Sequence, residues 1–392
     1  MPTLTIDDQL IQARPGATVL EAALAHGIDI PRLCYHPDLK PSGGCRLCLV
    51  EVEGRPNPTA SCGLECADGM TIRTKTETLE ALRRDVIDLF IADHPLNCVT
   101  CEKNGACALQ NYAYRYNLTK TSYQFELSRT LYQDDNPFFL RDHQYCILCG
   151  KCARVCDEIV GVNAIEYVGR GFPSHIATPF DGPMIDSTCV FCGSCVQVCP
   201  TAALLPMSRL RQGREWEFQR KRTVCGYCGV GCSLEYALKD GKIIYAQSYA
   251  EAPVNGEFLC AKGRYGWDFA ASPERLTRPL IRKDIAHALG LTDQPWTLPP
   301  DSVLPPPHAG AVSTGGVTPP QRPDPLDSFV PVAWDTALDF VATRLADTVN
   351  AHGPDSVAGL ASARCTNEEN YVFQKMMRAT IGTNNLDHCA RL

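Results

Sequence analysis

Apolar and polar residues alternate through Thr3–Ile6, and a second strand-like run, "QLIQA", follows Asp7 and Asp8, so the chain is predicted to open with a β-hairpin. Pro15-Gly16 marks a turn. Thr18 to Ala25 reads as a short helix with Thr18 and Glu21 as its capping box and Gly27 as its stop. From Thr78 to Phe90 the apolar residues Leu79, Leu82, Val86, Leu89 and Phe90 recur at helical spacing, and that helix leads to His94. Residues 94–220 are then mainly loops with little apolar periodicity. Two short strands, "SLEYALK" and "KIIYAQ", are joined at Asp240-Gly241, a hairpin turn. The stretch 292–331 is too rich in Pro and Gly for regular structure and is read as a surface loop. After it come a helix from Trp334 to Thr348, a strand from Ser356 to Leu360 and a helix from Asn367 to Thr380 capped by Thr366 and Glu369. This helix, strand, helix order opens an α/β domain but is too short to complete a sheet covered on both faces.

With 392 residues, 45% hydrophobic and 21% charged, the chain can build two or more domains. No apolar run approaches the roughly 18 residues of a membrane span. Thirty-seven basic against 44 acidic residues give a net charge of -7, so no basic footprint for nucleic acid exists. Twenty-two cysteines, many in C-x2-C steps, change the picture more than the charge does. The opening "MPTLTIDDQL" has no export signal, and tight CxxC spacing then favours metal ligation in a reducing, cytoplasmic setting over a disulfide framework.

Five sets of candidate ligands follow. Cys34, Cys45, Cys48 and Cys62 lie in the strand-rich region and suit a [2Fe-2S] centre, with Gly43 and Gly44 permitting close backbone approach; Cys66 is left spare. His94, Cys98, Cys101 and Cys107 read as a [4Fe-4S] centre with one imidazole ligand. Two runs, "CILCGKCARVC" and "CVFCGSCVQVCP", share the spacing in which the fourth cysteine serves the other cluster. Cys146, Cys149 and Cys152 therefore join Cys199, and Cys189, Cys192 and Cys195 join Cys156. The last set is Cys225, Cys228, Cys232 and Cys260, a further [4Fe-4S] candidate; Lys262 lies two residues beyond, either beside the cluster or as an ordinary surface charge. Structural zinc is the competing reading for each set. Together these sets imply one [2Fe-2S] and four [4Fe-4S] clusters, a row of one-electron carriers.

In this order the first four sets resemble the N-terminal parts of NAD-linked [FeFe]-hydrogenases, of the large subunit of NADH:quinone oxidoreductase and of formate dehydrogenase alpha subunits. "CGYCGVGC" and "NGEFLCAKGRYGWDFAASPERLTRPLIR" resemble the cluster domain of molybdenum or tungsten bis-pterin oxidoreductases. "ARCTNEENYVFQKMMRATIGTNNLDHCARL" is similar to formate dehydrogenase just before its selenocysteine or cysteine metal ligand.

The resemblance implies an α+β modular iron-sulfur protein. Its parts are a [2Fe-2S] ferredoxin-like β-grasp domain (1–77), a [4Fe-4S] domain with one histidine and three cysteine ligands (78–118), a two-cluster [4Fe-4S] ferredoxin domain (136–210), a [4Fe-4S] cap (218–280), a Pro-rich loop (291–331) and an incomplete α/β molybdopterin oxidoreductase domain (332–392). It implies oxidation of formate to carbon dioxide, or the reverse, at Mo or W held by bis-(molybdopterin guanine dinucleotide) in a longer protein. The electrons would pass to a flavin- and iron-sulfur-containing NAD(H)-binding subunit, with a small [2Fe-2S] subunit as a further partner, since the chain carries no GxGxxG fingerprint. The alternative is an electron-transfer subunit without formate chemistry. Asp387, His388 and Arg391 are candidates for the pterin surroundings, Cys389 for the pocket lining, and Cys365 for a packed thiol. No catalytic residue is assigned: the metal ligand is expected directly after Leu392, where a selenocysteine codon read as stop would end the sequence, and these 392 residues alone are expected to be inactive toward formate.

Overall fold

The computed structural model describes residues 1–123, 136–272, 275–290 and 328–389, without the side chain of Cys389. Arg391 and most of the Pro-rich stretch lie outside the described residues. Two compact units are formed: Met1–Lys221 with Glu235–Ala250 and Glu257–Arg264, and Arg222–Leu234 with Glu251–Gly256 and Tyr265–Leu392.

The first unit begins with strands β1 (Thr3–Ile6) and β2 (Gln9–Gln12), helix α1 (Val19–Ala25), and strands β3 (Leu49–Val52), β4 (Thr59–Ala60) and β5 (Thr71–Arg73). They form one sheet in the order β2-β1-β5-β3-β4. β1 and β5 run parallel with Ile6 opposite Ile72, and β1 pairs antiparallel with β2 across the Asp7-Asp8 turn. Alternation puts Leu4 and Ile6 inside, where they meet Val19, Leu20 and Ala23 of α1 and Ile72 of β5. The Thr18–Glu21 capping box is formed.

Helix α2 (Glu77–Ala92) buries Leu79, Arg83, Ile87 and Ile91, one stripe at four-residue spacing. That stripe differs from the expected one, since Leu89 is half exposed at 51%. A charged residue occupies the buried face because backbone carbonyls meet its guanidinium there. Helix α3 (Ala108–Arg115) closes a second core, in which Leu33, Cys34, Cys45 and Leu47 meet Ile87, Ile91, Cys107, Leu109 and Ile147, with Cys149 packed against them.

The ferredoxin region is more regular than a set of loops. β6 (Phe139–Arg141) pairs antiparallel with β9 (Leu204–Pro206), and a hairpin of β7 (Glu166–Val168) and β8 (His175–Ala177) lies between them in sequence. Helices α4 (Lys151–Arg154) and α5 (Ser194–Val198) lie within the two cysteine runs, and α4 continues as a π-helical turn, Val155–Val160. After β10 (Gln219–Val224), β11 (Ser233–Lys239) and β12 (Lys242–Gln247) pair across Asp240-Gly241, both at positive φ, as an Asp-Gly hairpin turn requires. Helix α6 (Ala261–Tyr265) follows Cys260.

In the second unit β13 (Leu280–Arg282), helix α7 (Lys283–Ala288) and β14 (Phe329–Pro331) share a small core of Ile281, Ala286 and Val330. Phe329–Pro331, expected to be loop, is therefore strand, because its apolar Val330 has a partner in Ile281. Helix α8 (Trp334–His352) leads to β15 (Gly359–Ser362), three residues later than expected because Pro354–Ser356 forms a 3-10 turn first. Helix α9 (Asn367–Lys375) is capped by Thr366 and Glu369 and changes to a π-helical turn over Met376–Ile381. β16 (Leu386–Cys389) then pairs parallel with β15, Leu360 opposite Asp387, so this segment is a strand-helix-strand crossover.

Candidate metal centres

Cys34, Cys45, Cys48 and Cys62 are all buried. They meet as two thiol pairs. A hydrogen bond from Cys45 holds Cys34 down at about 5 and pushes Cys45 itself upward; Cys62 does the same for Cys48, at about 6. Charge on Cys34 raises both Cys48 and Cys62, so the four sulfurs lie within electrostatic reach of one another. The loop between them is folded by Gly43 and Arg46, both at positive φ. Behind it Ser61 Oγ donates to the Cys48 carbonyl at 2.7 Å. Cys66 is buried as well, and burial raises its thiol.

The His94 ring stands edge-on to Tyr145, 5.6 Å between centroids. Cys101 turns back on Asn97, its N–H meeting the Asn97 carbonyl at 3.0 Å, and Cys107 caps α3. Two arginines from a later segment hold this loop: Arg214 donates to the carbonyls of Cys101 at 2.6 Å and Val99 at 2.7 Å, and Arg209 donates to the Glu102 carbonyl. Ala108 N–H donates to the Pro200 carbonyl at 3.0 Å, which brings Cys107 and Cys199, each one residue away, to the two sides of a single hydrogen bond.

The two ferredoxin runs have the same local backbone. Leu148 and Gly150 in the first, and Phe191 and Gly193 in the second, adopt positive φ between 51° and 71°. The amides of Leu148 and Phe191 point at Cys146 Sγ (3.4 Å) and Cys189 Sγ (3.3 Å), and Ala164 N points at Cys156 Sγ (3.3 Å). One cavity is lined by Cys146, Cys149, Cys152 and Cys199, together with Arg141 and His143; Cys156 is not among its walls. Electrostatic coupling groups the thiols in a similar way: Cys149 and Cys152 feel Cys146 and Cys199, and Cys189 and Cys195 feel Cys192 and Cys156, while Cys152 also feels Cys195 across the two sets. Burial pushes Cys149 up to about 12 and Cys189 to about 11, and raises Cys152 and Cys195 further. Buried thiolates that repel one another need a cationic centre to remain ionised, and amide N–H groups aimed at sulfur suit a ligand that keeps negative charge. Among the described residues, no three His, Cys, Asp or Glu side chains converge closely enough to hold one metal ion. The thiol sets with backbone amides aimed at their sulfurs fit an anionic iron-sulfur centre.

In the last set, Cys225, Cys228 and Cys232 belong to the second unit and Cys260 to the first. The Cys225 N–H donates to the Cys232 carbonyl at 2.8 Å, closing that loop. Lys262 is exposed on α6. Arg264, 3% exposed, donates from Nε to the Cys192 carbonyl at 2.9 Å and from Nη1 to Gln197 at 2.9 Å. Asp387 and His388 are exposed on β16. Cys365, expected to be packed, is exposed: it follows the end of β15 in the turn before α9, which no layer covers among the described residues.

Known families match along the whole length. Residues 1–77 match the 2Fe-2S iron-sulfur cluster binding domain, 83–122 the NADH-ubiquinone oxidoreductase-G iron-sulfur binding region and 145–203 the 4Fe-4S dicluster domain. Residues 218–272 match the molybdopterin oxidoreductase Fe4S4 domain and 275–392 the molybdopterin oxidoreductase family. The chain is 36% identical to a chain of an NAD+-reducing [NiFe]-hydrogenase crystal structure, covering 54% of this sequence and 88% of that one, with a TM-score of 0.50. The chain belongs to the iron-sulfur and molybdopterin oxidoreductases.

This oxidoreductase module is shared by formate dehydrogenases, NADH-quinone oxidoreductases and NAD+-reducing hydrogenases. It is 36% identical over 392 residues to the NADPH-Fe(3+) oxidoreductase subunit alpha of Geobacter sulfurreducens, covering all of this chain and 40% of that protein. It is 34% identical over 394 residues to a G-type subunit of the NADH-quinone oxidoreductase of Rhizobium meliloti, again covering the whole chain and 40% of the relative. A Bacillus subtilis protein with a provisional formate dehydrogenase name is 31% identical over 431 residues, covering 99% of this chain and 40% of its own length. The module thus spans about 40% of the curated relatives it matches. Among its described residues no helix is long and apolar enough to cross a membrane.

The arginines that brace the centres, Arg83, Arg154, Arg209, Arg214 and Arg264, were not legible from sequence. Arg154 and Arg264 fall within cysteine-bearing stretches but at no ligand position, and each of the five acts on a carbonyl distant along the chain.

Proposed function

We propose that the chain is the electron-transfer part of an NAD(P)H-linked oxidoreductase complex, its thiol sets holding one [2Fe-2S] and four [4Fe-4S] clusters with the ligands assigned above. When bound, the clusters supply one-electron exchange, with one centre oxidised as its neighbour is reduced and no bond made or broken. One observation carries the reading: Cys34, Cys45, Cys107 and Cys149, from three different ligand sets, share a single buried core. Centres held that close can pass charge through otherwise insulating protein. The residues have distinct tasks. Amide N–H groups of Leu148, Ala164 and Phe191 steady the thiolates, and the Cys152 thiol, which feels the charge of Cys195, would lie where the two ferredoxin clusters face each other. A flavin-bearing NAD(H) subunit, with or without a small [2Fe-2S] protein, is the proposed partner; the relatives' names support its nicotinamide link.

A second reading is favoured by the molybdopterin oxidoreductase match over 275–392 and by the Bacillus relative. On it, Asp387, His388 and Arg391 would lie near a Mo or W bis-pterin cofactor and Lys262 near the handover from the Cys225 cluster. The cofactor would supply the two-electron oxidation of formate to carbon dioxide with release of a proton.

The native complex separates the two readings. Cluster reduction by NADH or NADPH in protein lacking Mo and W supports the first. Formate-dependent reduction, with Mo or W present, overturns it in favour of the second.

A further inference from the structure

The loop from Cys34 to Lys40 bears a candidate [2Fe-2S] ligand, yet its anchors come from far along the chain. Arg154 on α4 donates to the Cys34 carbonyl through Nη2 and to the Lys40 carbonyl through Nη1 at 2.6 Å. Glu158, in the π-helical turn that continues α4, accepts from the Lys40 amide at 2.7 Å. Both residues sit in the short segment 152–158, which carries one candidate ligand of each ferredoxin cluster, Cys152 and Cys156. The same loop meets Glu257 through His36 at 2.6 Å.

We propose that Arg154 is a positioning residue for electron exchange between the [2Fe-2S] centre and the ferredoxin pair, with Glu158 completing the brace. The proposal rests on the cluster assignment above. Two effects follow from its geometry. The forked guanidinium bonds two carbonyls at once and so fixes the separation of the centres, which a single ammonium could not do. Its charge also lies between two sites that each become more negative on reduction, and a fixed cation favours that change where the dielectric is low. The exchange carries one electron from one centre to the other and requires no proton or further reactant.

The test uses the native complex, anaerobic, with Arg154→Gln, Arg154→Lys and Glu158→Gln variants, read by potentiometric electron paramagnetic resonance. Arg154→Gln is expected to lower the reduced-to-oxidised ratio of the [2Fe-2S] signal at fixed potential about tenfold, a one-electron shift of about 59 mV, and to weaken its magnetic coupling to the nearest four-iron signal. Arg154→Lys keeps the charge, so the ratio stays within about threefold of the parent while the coupling weakens, and Glu158→Gln, which loses an anion, moves the ratio the opposite way. Parental ratio and coupling in Arg154→Gln with iron retained overturn the proposal. Should that variant lose iron, Arg154→Lys decides: full iron with parental coupling overturns it too. A parent complex with no [2Fe-2S] signal at all would instead fault the cluster assignment.

Discussion

Arg83 Nη2 donates to the carbonyl of Leu49 at 2.7 Å, and the same guanidinium reaches the Leu47 carbonyl through Nε at 3.2 Å, so α2 holds the chain on both sides of Cys48. Arg83 is 1% exposed and also bonds the Thr74 carbonyl at 2.8 Å and Glu80 at 2.7 Å. A buried cation is tolerated there because each of its three nitrogens meets an oxygen.

Arg83→Met removes those donors and leaves three buried carbonyls without them. The expected cost is about 3 kcal/mol of stability, with loss of the [2Fe-2S] absorption before the four-iron signals. Urea unfolding with parallel visible spectra checks both, and an unchanged midpoint with full [2Fe-2S] content contradicts the brace.

Gly150 is at φ +68°, and a Cβ there would come within 2.2 Å of Tyr167 Oη. Gly150→Ala therefore meets both backbone strain, about 1–2 kcal/mol, and a clash with a phenol tied to the Leu148 carbonyl at 2.9 Å. The expected result is loss of one four-iron cluster per chain while the [2Fe-2S] centre stays. Iron and sulfide counts measure it; parental iron content would refute the crowding.

Crossed ligation makes a pair of opposite predictions. Cys199→Ser should disturb the centre of Cys146, Cys149 and Cys152, and Cys156→Ser that of Cys189, Cys192 and Cys195. Because Arg264 bonds the Cys192 carbonyl, Arg264→Gln should perturb only the second signal. Electron paramagnetic resonance of each variant distinguishes the two centres, and the same signal altered by Cys199→Ser and Arg264→Gln would disprove the pairing.

Glu257 has its carboxyl held below the ordinary range by the hydrogen bond with His36. A group depressed in the fold binds more protons when unfolded, so its contribution is complete above the ordinary carboxylate pKa, about 4.5, and disappears as pH falls through the lower folded value. Glu257→Gln should remove that part of the acid dependence. Denaturation between about pH 3 and 6 tests it, and identical pH slopes for parent and variant would be inconsistent with the bond.

Removing iron should not unfold everything. The first core takes in the candidate ligands Cys48 and Cys62 but is mostly apolar, with Leu4, Ile6, Val19, Leu20 and Ile72 packed on one another, whereas the second core draws on Cys34, Cys45 and Cys107 from two ligand sets. Hydrogen exchange after anaerobic chelation is expected to rise over residues 94–107 and 143–200 and to stay low over 3–25. Uniform protection throughout would show that the clusters do not support the fold.

Local pattern carried much of this protein. The opening hairpin, the Thr18 and Thr366 capping boxes and the Asp240-Gly241 turn were readable from sequence because each depends on residues a few positions apart, and the five ligand sets were proposed from their C-x2-C steps. Where an element depended on distant partners, local reading failed. Leu89, read at helical spacing with the apolar positions of α2, is half exposed while Arg83 shares the buried stripe, Val330 became strand only by meeting Ile281, and Cys365 is exposed in its turn. Cysteine spacing by itself determined that the chain carries grouped thiols able to hold iron. Only the tertiary structure decided which carbonyls and cations surround them, because a hydrogen bond from Arg154 to Cys34 joins residues 120 positions apart and leaves no periodic trace along the sequence.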